Sequence, residues 1–489
     1  MGIVAAQSFK NILSSYLGFL VGAINTLFLY VNFMSDTYYG MVGFMLSAAY
    51  VMMPLMAFGV HNTIVKFYSS FKTRLSLNSF LTLMLFLPLC IIIPTSIIGY
   101  VGYEAIGGFL ASENAMIKNY LWHTIIIAGA LAYFEVFYAW VKVQFQTVFG
   151  NFMKEVFHRV GAMVCLLLLY LKIIDIEQFM VSLVIVYILR MLVMMLYAFS
   201  IKLPVLIFKK VNGLTNILKY SFLIIVAGSI ATVLLDIDKV MLGKYISIEN
   251  IAYYNVAVFI ATVIAVPQRA MHQILLPLSA KYLNENDMDS LANLYKRSSI
   301  NLFVVSGLIF LLIILNINQL YTLIAPEYSI GLYIVLLISV AKLYDAILGS
   351  NNAILFNSNY YRVVLVLGVI LVIVMVLLNV FLIPLYGLHG AAIATFIAMF
   401  FYNTAKVVVV YKVFGITPFS ANTLKMGVSL TALTLAGYFW DFGFNAIVNI
   451  LLKSALIVVV FLGIIYRLNF SEEINDLIHK TLRSIKRSK

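Results

Sequence analysis

Apolar residues fall in long unbroken runs along this chain, and polar residues are confined to short breaks between them. A helix crossing a bilayer needs ~20 consecutive apolar residues. Stretches of that length lie near 9–33, 38–62, 77–101, 119–141, 149–171, 177–201, 217–239, 251–274, 298–316, 329–350, 362–384, 388–411, 421–440 and 446–466. The pattern predicts an all-α membrane protein of about fourteen transmembrane helices. The longest breaks, near 102–118 and 275–297, leave no room for a folded soluble domain on either face. The opening MGIVAAQSFK runs into a full-length span without a small-residue cleavage pattern, so the first helix is expected to stay in the mature protein.

Composition sharpens this picture. Of 489 residues, 63% are hydrophobic and 10% charged, against ~45–50% and ~25% in soluble domains. That excludes a cytosolic or secreted enzyme, a disordered chain and a nucleic-acid-binding module. The net charge of +13 comes from 32 basic and 19 acidic residues. With the N-terminus in the cytoplasm, 24 basic residues fall on the inner side. Five (Lys118, Lys172, Lys239, Lys244 and Lys453) fall outside, and Arg159, Arg190 and Lys342 lie within spans. This is a positive-inside pattern with both termini cytoplasmic. Cys90 and Cys165 sit in apolar runs and read as small core residues.

Residues 468–489 differ. Ser471, Glu472 and Glu473 read as a helix start, with carboxylates at the positive dipole end. Ile474, Leu477, Ile478, Leu482 and Ile485 then recur at helical spacing beside Lys480, Arg483, Lys486, Arg487 and Lys489. This predicts a basic amphipathic tail on the anionic inner leaflet.

A weak internal echo suggests two related halves, as in many transporters. Tyr38-Tyr39-Gly40 with Pro54 in the second span parallels Tyr253-Tyr254-Asn255 with Pro267 in the eighth. The expected division is an N-terminal lobe at 1–210, a pseudo-symmetric C-terminal lobe at 211–415, two appended helices at 416–467 and the tail. Pro54, Pro88, Pro94, Pro267 and Pro277 predict kinks.

Two segments are more specific. One is Asp236-Ile237-Asp238-Lys239-Val240-Met241-Leu242-Gly243 and the IENIAYYNVAVFIATVIAVPQRAMHQILLPLSAKYLNEND that follows soon after. The other is Asn379-Val380-Phe381-Leu382-Ile383-Pro384-Leu385-Tyr386-Gly387-Leu388-His389-Gly390-Ala391-Ala392-Ile393-Ala394-Thr395. In the second, Pro384 is expected to end a helix and Gly387 and Gly390 to allow a tight turn. Gly390, Ala391, Ala392 and Ala394 offer a small-residue packing face. In order and spacing, both segments resemble the polysaccharide-exporting branch of the multidrug/oligosaccharidyl-lipid/polysaccharide flippase superfamily. The resemblance implies a multi-pass transporter of the bacterial inner membrane that flips a lipid-linked oligosaccharide.

An ionisable group at mid-bilayer costs ~2.5–3.5 kcal/mol, so Arg159, Arg190 and Lys342 should face water, cargo or a partner. Glu155 lies four residues before Arg159, Asp345 three after Lys342, and Glu135 is a candidate answer to Arg190. The functional reading is a cationic cavity between the lobes that binds the diphosphate of a polyprenyl-linked oligosaccharide, arginine supplying a planar fork of donors. The alternative is a set of buried ion pairs that only fix helix register. Arg269 and Lys406, near inner helix ends, are further substrate-binding candidates, although both can snorkel. Glu135, Asp238 and Asp345 are candidates for coupling to a proton or cation. His61, His123, His158 and His272 are scattered, so no metal site is expected. No cofactor is expected either.

The expected function is export of a polyprenyl-diphosphate-linked oligosaccharide from the inner to the outer leaflet by alternating access, for surface polysaccharide biosynthesis. Expected partners are that substrate, membrane lipids, a coupling ion and glycan-assembly proteins, without nucleic acid. The main alternative is a cation-coupled multidrug antiporter of the related branch, whose cavities favour acids where this set leans basic. A membrane polymerase or ligase is a weaker alternative, since neither a nucleophile–base set nor a phosphate loop appears.

Overall fold

The computed structural model describes residues 2–110 and 112–476. Residues 477–489, which carry most of the expected basic tail, lie outside the described residues. Among the described residues all regular structure is helical, with no strand. Ten helices are long and apolar enough to cross a membrane, or up to eleven if Leu214–Ile230 and Leu234–Tyr245, bent by 67°, form one span. The remaining apolar stretches are built differently. Thr147–Phe152, the π-helix Met153–Phe157 and His158–Tyr170 follow one another without a break, and Ala421–Tyr438 is a shorter helix of 18 residues. Tyr361–Phe414 spans 54 residues but holds Gly387 at φ 55°, ψ −131°, so it is two helices meeting at that residue.

The first helix therefore continues through Pro384 to Tyr386, and Gly387, whose positive φ disfavours any residue with a Cβ, makes the reversal. A Cβ on Gly390 would strike the Leu382 carbonyl. Ala391, Ala392 and Ala394 are fully buried, so the small-residue face is used for close packing.

The described residues of Met1–Asn255 and Val376–Ala391 form one compact unit, and those of Val256–Met375 and Ala392–Lys489 a second. In the first unit a core of Phe80, Phe134, Phe137 and Trp140 joins the Leu121–Lys142 helix to its neighbours. The two tyrosine-rich helix starts meet in this unit. A Cβ on Gly40 would strike the Ile248 carbonyl, and Tyr253 donates to Asp36 at 2.9 Å. In the second unit Leu291, Tyr295, Ile354 and Val410 pack together.

Helix ends follow their sequence signals. Asp175 and Gln178 form a reciprocal capping box at the start of Ile176–Ile201. Asp287 caps Met288–Ile324, and hydrogen bonds from Ser290 hold its carboxyl below the usual carboxylate range. Ser471 accepts from the Ile474 amide, as an N-cap does, and Arg297 reaches Glu473 at 3.2 Å and Glu472 at 3.5 Å. Pro94 and Pro277 lie inside helices, Pro54 two residues before a helix end, and Pro267 in the first turn after a 3₁₀ segment.

Candidate functional site

The first unit gathers charge around the π-helix Met153–Phe157. A π-turn carries one extra residue, so its carbonyls are poorly served by the helix itself. Arg190, on Ile176–Ile201, supplies the missing donors. Its Nε donates to the Met153 carbonyl at 3.0 Å and Nη2 to that of Lys154 at 3.3 Å. The guanidinium lies 3.9 Å from the centre of the Phe134 ring, a cation–π contact. Arg190 is 3% exposed, and its Nη1 is buried without a hydrogen-bond partner among the described residues.

Glu135, on Leu121–Lys142, is buried and accepts from Lys154 Nζ at 2.6 Å. The expected Glu135–Arg190 pairing is thus replaced by Glu135–Lys154, because backbone carbonyls occupy the arginine. Lys142 and His61 are further electrostatic neighbours of Glu135. Arg159 meets Glu155 loosely at 3.6 Å, as the four-residue spacing predicts. The helix Gly2–Ile24 closes over this pair: a Cβ on Gly18 would strike the Glu155 carbonyl, and one on Gly22 would touch the Arg159 side chain. Asn25 donates to the Arg159 carbonyl at 2.7 Å.

A second feature of this unit is Asp238, 4% exposed. Tyr254 and Asn379 each donate to its carboxylate at 2.7 Å. Asp236, two residues earlier, accepts from Ser47 at 2.9 Å and Lys239 at 2.8 Å. The Asp-x-Asp-Lys segment thus splits its acids between a lysine pair and a buried amide–phenol site.

In the second unit Lys406 is 1% exposed. It donates to Asn352 at 3.0 Å, lies 3.8 Å from Asp345 and sits over the Tyr402 ring at 4.4 Å. Gln268 donates to the Asp345 carbonyl at 3.1 Å. Lys342 is half-buried on Leu332–Ile347, and Arg269 is exposed on Val266–Asn284. An apolar cavity of about 450 Å³ is lined by Phe303, Phe310, Tyr344, Phe396, Phe400 and Leu435, with Thr431 and Thr434 as polar points.

The candidate residues therefore fall into separate places. Glu135, Arg159 and Arg190 surround one π-turn, Asp345 and Lys406 share a second cluster, and Asp238 stands in a third. The sequence reading missed Lys154 as a site residue because it counted with the inner-side cations. The density of Lys154, Glu155, His158 and Arg159 within one apolar stretch was the available signal.

The fold is one already solved in other helical membrane proteins. The structure "Lipid II flippase MurJ, inward closed conformation" superposes with a TM-score of 0.71 at 15% identity, covering 95% of this chain and 99% of that one. A "multidrug resistance MATE family transporter of the MOP superfamily", inward-facing, gives 0.59 at 12% identity over 88% and 96%. The same transporter family in its outward-facing conformation gives 0.54 at 12% over 88% and 96%. At these identities the likeness is one of fold. In sequence, the family described as "Polysaccharide biosynthesis protein" matches residues 4–283, more than half of the chain, and the chain belongs to that family. No curated protein matches it in sequence.

Proposed function

We propose that this chain moves a polyprenyl-diphosphate-linked oligosaccharide from the inner to the outer leaflet of a bacterial inner membrane, supplying surface polysaccharide assembly. Transport proceeds by alternating access, without covalent chemistry, with both termini in the cytoplasm and glycan-assembly proteins as partners. The single observation that carries the reading is the basic surplus at the π-turn of a polysaccharide-biosynthesis family member. Lys142, Lys154, Arg159 and Arg190 outnumber Glu135 and Glu155 there by two. A diphosphate diester carries one ionised oxygen on each phosphorus, so it brings the two negative charges this surplus lacks.

Arg159 is the cation of the original set best placed to meet cargo, since its acid is loosely held. Lys342 and Arg269 would act in the second unit, where Lys406 is sealed among Asn352, Asp345 and the Tyr402 ring and would hold its helices in place. Glu135, Asp238 and Asp345 are the candidates for coupling to a proton or cation, Asp238 being a buried carboxylate that accepts from Tyr254 and Asn379.

The test is reconstitution in proteoliposomes with a fluorescent polyprenyl-diphosphate-linked saccharide. Leaflet exchange is expected with the wild type and is expected to fall at least about tenfold in Arg159→Ala, the weight of one charge-assisted contact. Undiminished exchange in Arg159→Ala sinks the cationic-site reading. Drug resistance on overexpression with no glycolipid exchange would favour a multidrug antiporter.

A further inference from the structure

The connection between the helices Leu89–Val101 and Leu121–Lys142 is folded rather than slack. It holds two short helices, Tyr103–Leu110 and Met116–Asn119. Lys118 pairs with Glu104 at 2.6 Å, and Tyr103 donates to the Lys118 carbonyl at 3.0 Å, so the two short helices brace each other. Tyr120, at the foot, donates to Glu177 at 2.7 Å and ties the connection to Ile176–Ile201. All of these partners lie within 1–210, the expected N-terminal lobe.

The tip reaches into the other half of the sequence. Asn114 is buried, and its amide nitrogen donates to the Gly243 carbonyl at 2.7 Å and the Ile246 carbonyl at 2.8 Å. Its oxygen accepts from the Ile248 amide at 2.8 Å. Ser112 donates to the Lys244 carbonyl at 3.1 Å, and the Lys244 ammonium lies 3.4 Å from the centre of the Phe109 ring. Residues 243–248 make the turn between Leu214–Tyr245 and Glu249–Thr262, in the expected C-terminal lobe. One helix ends there with carbonyls it cannot pair, and the next begins with amides it cannot pair. Asn114 serves both. The helix Asp36–Met56 closes the other side, since a Cβ on Gly40 would strike the Ile248 carbonyl and one on Gly243 the Phe44 ring. The turn is thus gripped from two sides, and it belongs to the same compact unit as both.

We propose that this connection is an outer latch, that Asn114 is its catch, and that the catch must leave residues 243–248 before the cargo headgroup can pass. The inference rests on the topology and the alternating access proposed above, because a motion that parts the two lobes on that face must break the contacts of Ser112 and Asn114. Asn114 is a positioning residue, holding the closed arrangement rather than touching cargo. Neutral hydrogen bonds to backbone suit a catch. Their net weight is modest, because water replaces them on release. The Lys118–Glu104 pair is internal to the latch and travels with it.

Two measurements on the full-length protein, carrying Cys90→Ala to remove the exposed thiol, test the latch. In lipid nanodiscs, Ile251→Cys places a thiol at a fully buried position beside the turn, and the buried Cys165 serves as reference. Maleimide labelling is followed at each thiol by peptide mass. Adding Asn114→Ala is expected to speed labelling at position 251 at least about tenfold, the weight of two net hydrogen bonds, and to leave Cys165 unchanged. Asn114→Asp is expected to do the same, because a carboxylate can accept from the Ile248 amide but cannot donate to the Gly243 and Ile246 carbonyls. Unchanged labelling at position 251 overturns the proposal. So does an equal rise at Cys165, which would mean general loosening of the fold. In proteoliposomes, Ser112→Cys with Lys244→Cys, joined by a short thiol-reactive cross-linker, is expected to stop glycolipid exchange and to regain it on reduction. Exchange that continues through the cross-link overturns the latch and leaves the cargo standing. The predicted labelling in a protein that exchanges no glycolipid supports the latch and removes the cargo.

Discussion

Lys154 and Lys406 each face one carboxylate from a neighbouring helix, and their surroundings divide them. Lys406 is enclosed by Asn352, Asp345 and the Tyr402 ring and is 1% exposed. Its acid stands off at 3.8 Å, so an amide oxygen and an aromatic face carry much of its stabilisation. Lys154 makes the tighter contact, 2.6 Å to Glu135, yet two-fifths of its side chain stays open. Proximity of charges thus does not tell a sealed cation from an available one. Enclosure on the remaining sides does, because a lysine that can swing into water loses little when its acid departs, and a sealed one cannot move.

The sharpest way to break this contrast is to remove each acid's charge and measure thermal unfolding of the purified protein. Asp345→Asn leaves a buried ammonium without its counter-charge and is expected to cost about 3 kcal/mol. Glu135→Gln is expected to cost about 1 kcal/mol, because Lys154 can turn outward. Equal losses would erase the distinction. A smaller pair of changes tests the packing that serves the π-turn. Gly18→Ala drives a methyl against the Glu155 carbonyl and is expected to cost about 2 kcal/mol. Gly22→Ala meets only the flexible Arg159 side chain, and its effect should stay within about 0.5 kcal/mol. The smallest effect serves as a control. Asp175→Ala removes the capping box of Ile176–Ile201 and should cost about 1 kcal/mol. It should leave glycolipid exchange unchanged, since Arg190 lies about four turns further along. A changed exchange rate there would mean that stability alone governs the site.

The helical membrane fold was legible because apolar runs and the positions of basic residues state it directly. The Glu155–Arg159 pair was legible for the same local reason, one helical turn of spacing. What escaped the sequence was non-local or irregular. Asp345 and Lys406 were each singled out, but nothing in a spacing of 61 residues joins them. The π-turn was hidden because a single extra residue in one helical turn leaves no mark in the spacing of the residues around it. The turn falls at Gly387, one of the two glycines expected to allow it, but the helix expected to end at Pro384 runs on to Tyr386, because a proline can remain in a helix where Gly387 alone carries the forbidden angles.

That reversal has a practical side. A single residue joins the helical stretches 361–386 and 388–414 with no slack between them, and Gly390 presses the second helix against Leu382 at once. A protease needs several residues of pliable chain to cut, and an inserted epitope needs ends that tolerate separation. This junction offers neither, so it should resist nicking and reject inserted tags.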